Sequence, residues 1–294
     1  MTTLIKRGYI HFSDEWEHVE SEHVGPFITK IIHRRPDGKT DVRTSRRHRK
    51  HFGPLGREAG KQRTPLLIWR PRALNWWIAV LFMIGSWHFF FASLLLLAGV
   101  SYSYLLDFIY FTGSIFFTSA GYCSYYQSIN APEALDSNGQ ATATKKRRYF
   151  GWQPQRIDFW VTFPLFIGTL FFNVLTFMGF FSLQWYAYDI FTWIPNFIGS
   201  ILFLISGIAG VLEFCHHFWC WQLKNVTWWI VISNFWGCVF FMISAFAAFL
   251  RPDPIGNNLF FWATLTTLLG AVCFFVSSYL MWPEMAAAEQ AQNK

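Results

Sequence analysis

Three stretches of this chain lie over one another without a gap: Trp69 to Ser93, Trp152 to Thr176 and Trp221 to Ala245. They open WRPRALNWW, WQPQRIDFW and WQLKNVTWW, and each sets a glycine eight residues after its last Trp, at Gly85, Gly168 and Gly237. Phe follows four residues later (Phe89, Phe172, Phe241), and a small or hydroxyl residue four after that. Between the copies a related pattern recurs: Gly113, Gly199 and Gly270, then Phe117, Phe203 and Phe274, then Gly121, Gly207 and Ser278. Fourteen residues after each of these glycines stands an acid or amide, Gln127, Glu213 or Glu284. At about 100° per residue these offsets fall on one stripe of a helix. A chain that repeats itself folds by stacking its copies, so the repeat sets the architecture.

The copies sit in long apolar runs. With 53% hydrophobic, 21% aromatic and only 14% charged residues, the composition excludes a soluble globular protein. Six runs reach the roughly 20 residues that cross a bilayer as a helix: about Leu74 to Ala98, Tyr104 to Tyr126, Ile157 to Leu183, Ile190 to Cys215, Val226 to Leu250 and Leu259 to Met281. The expected fold is therefore all-α: a polytopic membrane protein of six transmembrane helices in three helical-hairpin repeats, with a small cytoplasmic N-terminal segment. Residues 1–68 form that basic segment, 69–130 the first hairpin, 131–151 a cytoplasmic linker, 152–218 and 219–284 the second and third hairpins, and 285–294 a cytoplasmic tail. Two spans per repeat preserve orientation, so the repeats are parallel about an axis along the membrane normal. A pseudo-threefold bundle and a side-by-side array both satisfy this. The first span is expected to act as its own insertion signal, because no apolar core precedes it near the start.

Charge gives the orientation. Of 24 Lys and Arg, 16 precede Ala73 and five lie between Lys145 and Arg156, whereas the alternate loops carry Asp107, Asp189 and Asp253 with the single cation Arg251. The positive-inside rule places both termini in the cytoplasm. The net charge of +7 then follows from topology and from attraction to anionic lipid headgroups, and nucleic acid is not an expected partner. The run RRHRKH from Arg46 to His51 is expected to be a solvated flank, a headgroup contact or a targeting signal. Ahead of it, Phe27 to His33 and Thr40 to Ser45 flank Pro36-Asp37-Gly38-Lys39, a turn sequence that suits a β-hairpin. The five cysteines are odd in number and lie in or beside the spans, which argues for packing rather than disulfides.

The phrases GWQPQRIDFW, IGTLFFNVLTF and WWIVISNFWGCVFFMISAFAAFL resemble the multi-pass membrane proteins grouped as YrhK-like, over about Trp69 to Glu284. The resemblance implies an uncharacterised integral membrane protein and supplies no catalytic residues.

Within the helices the small-x3-Phe-x3-small stripe is the pattern by which membrane helices approach closely, and packing accounts for it. The residues the copies do not share are the candidates for function. His88 lies inside the first span, and with Asn173, Asn196 and Asn234 it could line a polar path or serve as interhelical hydrogen-bond glue. Glu213, His216, His217 and Cys220 are spaced to share one face if the fourth helix continues to Trp221, and such a set could ligate a metal. Gln127 and Glu284 hold the Glu213 position in the other copies without such neighbours, which points to an architectural role, pairing with a Trp or a basic neighbour. HExxH, CxxC and GxSxG are missing from the sequence, so no enzyme and no cofactor are expected. Two functions remain: a non-enzymatic structural or lipid-interacting scaffold, and a transporter or channel for a small uncharged solute.

Overall fold

The computed structural model describes residues 16–54, 65, 67–100, 103–132, 147–181, 183–249 and 258–292. Most of the 131–151 linker, together with Arg251, Asp253 and Lys294, lies outside them. Strands β2 (Phe27–Arg34) and β3 (Thr40–Thr44) pair antiparallel across the expected turn. Gly38 there takes φ +78° and the Asp37 carboxylate accepts from the Lys39 amide at 3.0 Å. A third strand, β1 (Glu17–Val24), adds to the other edge of β2, so the fold is not purely helical. β1 reads EHVESEHV, with no apolar alternation, and its cross-strand pairs Lys30–Glu22 and Arg34–Glu17 are ionic. A short helix, α1 (Ser45–Arg49), follows β3, with the Thr44 hydroxyl accepting from the Arg47 amide.

The helical body comprises α2 (Leu74–Leu97), α3 (Ser103–Ile129), α4 (Ile157–Met178), α5 (Trp185–Tyr188), α6 (Ile194–Cys215), α7 (Val226–Ala247) and α8 (Asn258–Gln292). A π-helical turn, Asp189–Trp193, joins α5 to α6 as one rod. Five rods are long and apolar enough to cross a membrane: α2, α4, the rod ending in α6, α7 and α8. The sequence reading expected six. α3 is the difference, since its SYLLDFIYFTGS start and its Ser, Thr and Tyr residues dilute the apolar run although 27 residues would reach about 40 Å.

The first helix of each hairpin, α2, α4 and α7 (the odd helices, with α3, α6 and α8 the even ones), is entered in the same way. The indole N–H of Trp77, Trp160 and Trp229 donates to the carbonyl six residues earlier, Pro71, Pro154 and Leu223, at 2.9 Å in all three. The helices then begin at Leu74, Ile157 and Val226. Pro71 and Pro154 therefore shape the entry turn rather than open the helix. The leading tryptophans Trp69, Trp152 and Trp221 remain 72%, 68% and 72% exposed, as residues at a water-lipid boundary would be.

α2 packs with α3, α4 with α6, and α7 with α8; α3 also packs on α4, α6 on α7, and α8 returns to α2. The ring of six closes, which rules out the side-by-side array. Within each pair the glycines face one another: a Cβ on Gly113, Gly199 or Gly270 would lie 3.2, 3.1 or 3.2 Å from the carbonyl oxygen of Gly85, Gly168 or Gly237. The next pairs use the later small residues, since a Cβ on Gly121 would lie 3.3 Å from the Phe166 Cα, and one on Gly207 3.1 Å from the Cys238 sulfur. Phe89, Phe117, Phe172, Phe203, Phe241 and Phe274, one from each long helix, meet in a single buried cluster. The stripe thus divides its work: glycine for the partner in the hairpin, Phe for the centre, and in α3 and α6 the later glycine for the next hairpin.

Candidate functional site

The phenylalanine cluster splits the axis into two spaces. Where α4 and α7 end and α3 and α8 begin lies a chamber of about 560 Å³, with Phe89, Phe172 and Phe241 from the odd helices at its depth. Asp107, Tyr110, Tyr188, Asn196 and Thr267 are among its walls. On the far side, Phe117, Phe203 and Phe274 from the even helices bound a void of about 80 Å³, which Ser124, Gln127, Ser206 and Asn234 make partly polar. Its other boundary is the basic run: Arg46, Arg49 and Lys50.

α1 is consequently a cap, and this corrects the expectation of a solvated or lipid-facing flank. Arg46, His48, Arg49 and Lys50 are all under 9% exposed. The Arg49 guanidinium donates to Glu213 at 2.8 Å, and Ser45 donates to the same carboxylate at 2.9 Å. Arg46 and Lys50 share Glu284, at 3.0 and 2.5 Å, and the Thr227 hydroxyl donates to it at 3.0 Å. The Gln127 amide donates to Asn75, which donates to the Lys50 carbonyl at 2.9 Å. Asp158, one residue into α4, is buried against Arg156 at 3.0 Å. Asn75, Asp158 and Thr227 hold equivalent positions in the odd helices, as Gln127, Glu213 and Glu284 do in the even ones. Six matched positions at the mouth of the ring thus supply what the cap binds or what surrounds it.

The electrostatics follow from that count. Three carboxylates, Asp158, Glu213 and Glu284, meet four cations, Arg46, Arg49, Lys50 and Arg156. Burial, with the Arg46 charge beside it, pulls the Lys50 ammonium down to about 7 against the attraction of Glu284. Burial works against the Arg49 charge as well, but Glu213 outweighs it and holds the guanidinium above its ordinary value. Burial and the Arg156 charge push His48 down to about 3, leaving a neutral ring whose Nε2 donates to the Pro132 carbonyl at 2.7 Å.

The four residues of the expected polar path do not meet. Asn196 lines the chamber and Asn234 the void, on opposite sides of the phenylalanines. His88 turns its Nδ1 to the Ile84 carbonyl of its own helix, 2.8 Å away, and its ring lies tilted against Phe116, in neither space. Asn173 donates to Thr118 on α3 at 2.9 Å, while its buried Oδ1 has no hydrogen-bond partner among the described residues. The expected metal face is broken. α6 ends at Cys215 rather than continuing to Trp221, because His216 takes φ +57°, and Glu213 turns inward to Arg49. Cys220 is bonded to Cys215, a correction to the reading of all five cysteines as packing residues. Among the described residues no three His, Cys, Asp or Glu are grouped as a metal would require.

Two features were missed. The cap was one: RRHRK was read without its partners Glu213 and Glu284, although the repeat had marked that position as one that pairs with a basic neighbour. Asp107 carried no signal beyond its place in a loop-side acid set. Comparison of the chain with protein-family models, with curated proteins and with solved structures finds no match.

Proposed function

We propose that this is a non-enzymatic six-span membrane protein that binds a small solute in its axial chamber and passes it inward when the cap and the phenylalanine cluster yield. In this reading α3 is the sixth span, the three hairpins are parallel repeats about the axis, and both termini and the cap face the cytoplasm, as the charge distribution favours. The YrhK-like resemblance adds no residues to it. The observation that carries it is the pair of spaces on one axis, about 560 and 80 Å³, separated by the two interleaved layers of phenylalanine side chains. A volume of a few hundred cubic ångströms with mostly apolar walls and a few polar groups is that of a small-molecule site. Both barriers, the phenylalanine layers and the cap, lie between the chamber and the far end of the axis, so inward passage needs each of them to open.

A second reading, a rigid lipid-interacting scaffold, draws on the closed axis. Uptake into proteoliposomes across a panel of small solutes separates the two. Saturable uptake that Ala248→Trp abolishes, by filling the chamber from the end of α7, supports the transporter. Absence of any saturable uptake or binding would leave the scaffold. For orientation, Asn225-Val226-Thr227 is a glycosylation sequon at the cap end. A glycan on Asn225 in a eukaryotic host would invert the assigned topology.

A further inference from the structure

Among the described residues the two ends of the axis are opposite in charge. Among the described residues every Lys and Arg lies in the sheet, the cap or the segments that enter the odd helices. At the chamber end, Asp107 is the only carboxyl, amine, guanidine or imidazole among the lining residues. It sits early in α3, with its Oδ1 against Gly179 at the end of α4, where a Cβ would come within 2.8 Å. It makes no hydrogen bond or ion pair with any described residue. Around it the chamber is aromatic: Phe89, Phe172 and Phe241 at the depth, Tyr110 and Tyr188 in the walls. The Tyr110 ring is fixed by its hydroxyl, 2.8 Å from the Ser93 hydroxyl.

Aromatic faces carry the negative lobe of the ring quadrupole and attract cations, the more so out of water. One unpaired carboxylate beside such rings supplies a single countercharge. A partly buried carboxylate without a described partner also carries a desolvation cost that a bound cation would offset. An anionic solute would meet this carboxylate with no cation beside it among the described lining residues, and a neutral one would leave it without a described partner.

We infer that the chamber takes a monovalent organic cation, an ammonium carrying apolar substituents, with Asp107 as countercharge and the phenylalanine and tyrosine rings around the substituents. This rests on the chamber being a solute site, and it replaces the expectation of an uncharged solute. The test is calorimetric titration of the full chain in lipid nanodiscs with trimethylphenylammonium and with tert-butylbenzene, its uncharged isostere. The cation should bind more tightly than the isostere. Asp107→Asn should weaken the cation by about tenfold or more while leaving the isostere unchanged. Asp189→Asn, which removes a second acid at the same end that does not line the chamber, should change neither. If the isostere binds as well as the cation, or Asp107→Asn has no effect, or Asp189→Asn weakens the cation equally, the cation assignment fails and the chamber stands as a solute site. If neither compound binds, the solute-site reading fails with it.

Discussion

At the scale of single residues, the interactions with most at stake are the ion pairs that seat α1. Glu213 is fully buried and answers Arg49 and Ser45. Removing one member of a buried pair leaves the other charged and desolvated, at a cost of about 3–5 kcal/mol. Glu213→Gln should therefore release the cap, seen as rapid trypsin cleavage after Arg46, Arg47, Arg49 or Lys50 in a protein whose helical body stays intact. Adding Arg49→Met removes the stranded charge, and should restore much of the protection. Protection unchanged in Glu213→Gln would mean the pair does not hold the cap. Lys50 gives the cap a pH dependence with a definite sign. Free in water its ammonium has an ordinary value of 10.5, and docked between Glu284, Arg46 and Arg49 it has about 7. Between those values the docked state holds fewer protons than the released one, so raising the pH from 7 favours docking. The penalty is complete below about 7. Hydrogen exchange over residues 45–50 should slow as pH rises through that window, after correction for intrinsic rates, and Lys50→Met should remove the trend.

At the scale of helices, the glycines decide how closely the rods approach. A Cβ on Gly270 would lie 2.6 Å from the Phe241 ring and 3.2 Å from the Gly237 carbonyl. Gly210, inside α6, has nothing within 4 Å of the same position. Gly270→Ala should lower stability by about 1–3 kcal/mol through overpacking, whereas Gly210→Ala should be neutral or stabilising by up to about 1 kcal/mol. Thermal unfolding in detergent compares them, and equal effects would remove the close-packing account. This level was the most legible in the sequence, because a stripe at helical period registers which residues must be small and which must fill. The stripe could not say which glycine meets which neighbour, since all three jobs share one face. Helix ends were less legible: α6 stops at the left-handed His216, which no glycine announces, and α8 runs on through Pro283 to Gln292. The candidate site was least legible. Asn196 and Asn234 line spaces on the axis, but His88 and Asn173 do not, and Asp107 matters only because the fold brings it to the chamber wall beside the end of α4. The cap escaped because positive charge near a span is ordinarily solvated, and only the fold shows Glu213 and Glu284 waiting for it.

For the molecule as a whole, the axis is closed by two barriers in series, and they differ in kind. The phenylalanine layers are apolar and tightly interleaved, with Phe172 and Phe203 centroids 4.8 Å apart and Phe241 and Phe274 5.4 Å apart. The cap is ionic and belongs to a separate segment that reaches the ring from the sheet. A side chain layer can open by rotamer change within the bundle, whereas the cap must leave as a unit, because Arg46, Arg49 and Lys50 are anchored to two different helices. Under the transport reading, weakening either barrier alone leaves the other shut. The expected outcome is specific: Phe241→Leu/Phe274→Leu, which thins both phenylalanine layers with modest loss of volume, should leave proteoliposomes tight. Glu213→Gln alone should do the same. Combined, the three substitutions should give leak of a small organic cation down its gradient, and adding Asp107→Asn should reduce that leak, since the cation would then lose its countercharge at the entrance. Leak from Glu213→Gln alone would show that the phenylalanines are no barrier. Tight vesicles from the combined variant, with its helical content and unfolding transition retained, would show that the axis is a packed core and not a path.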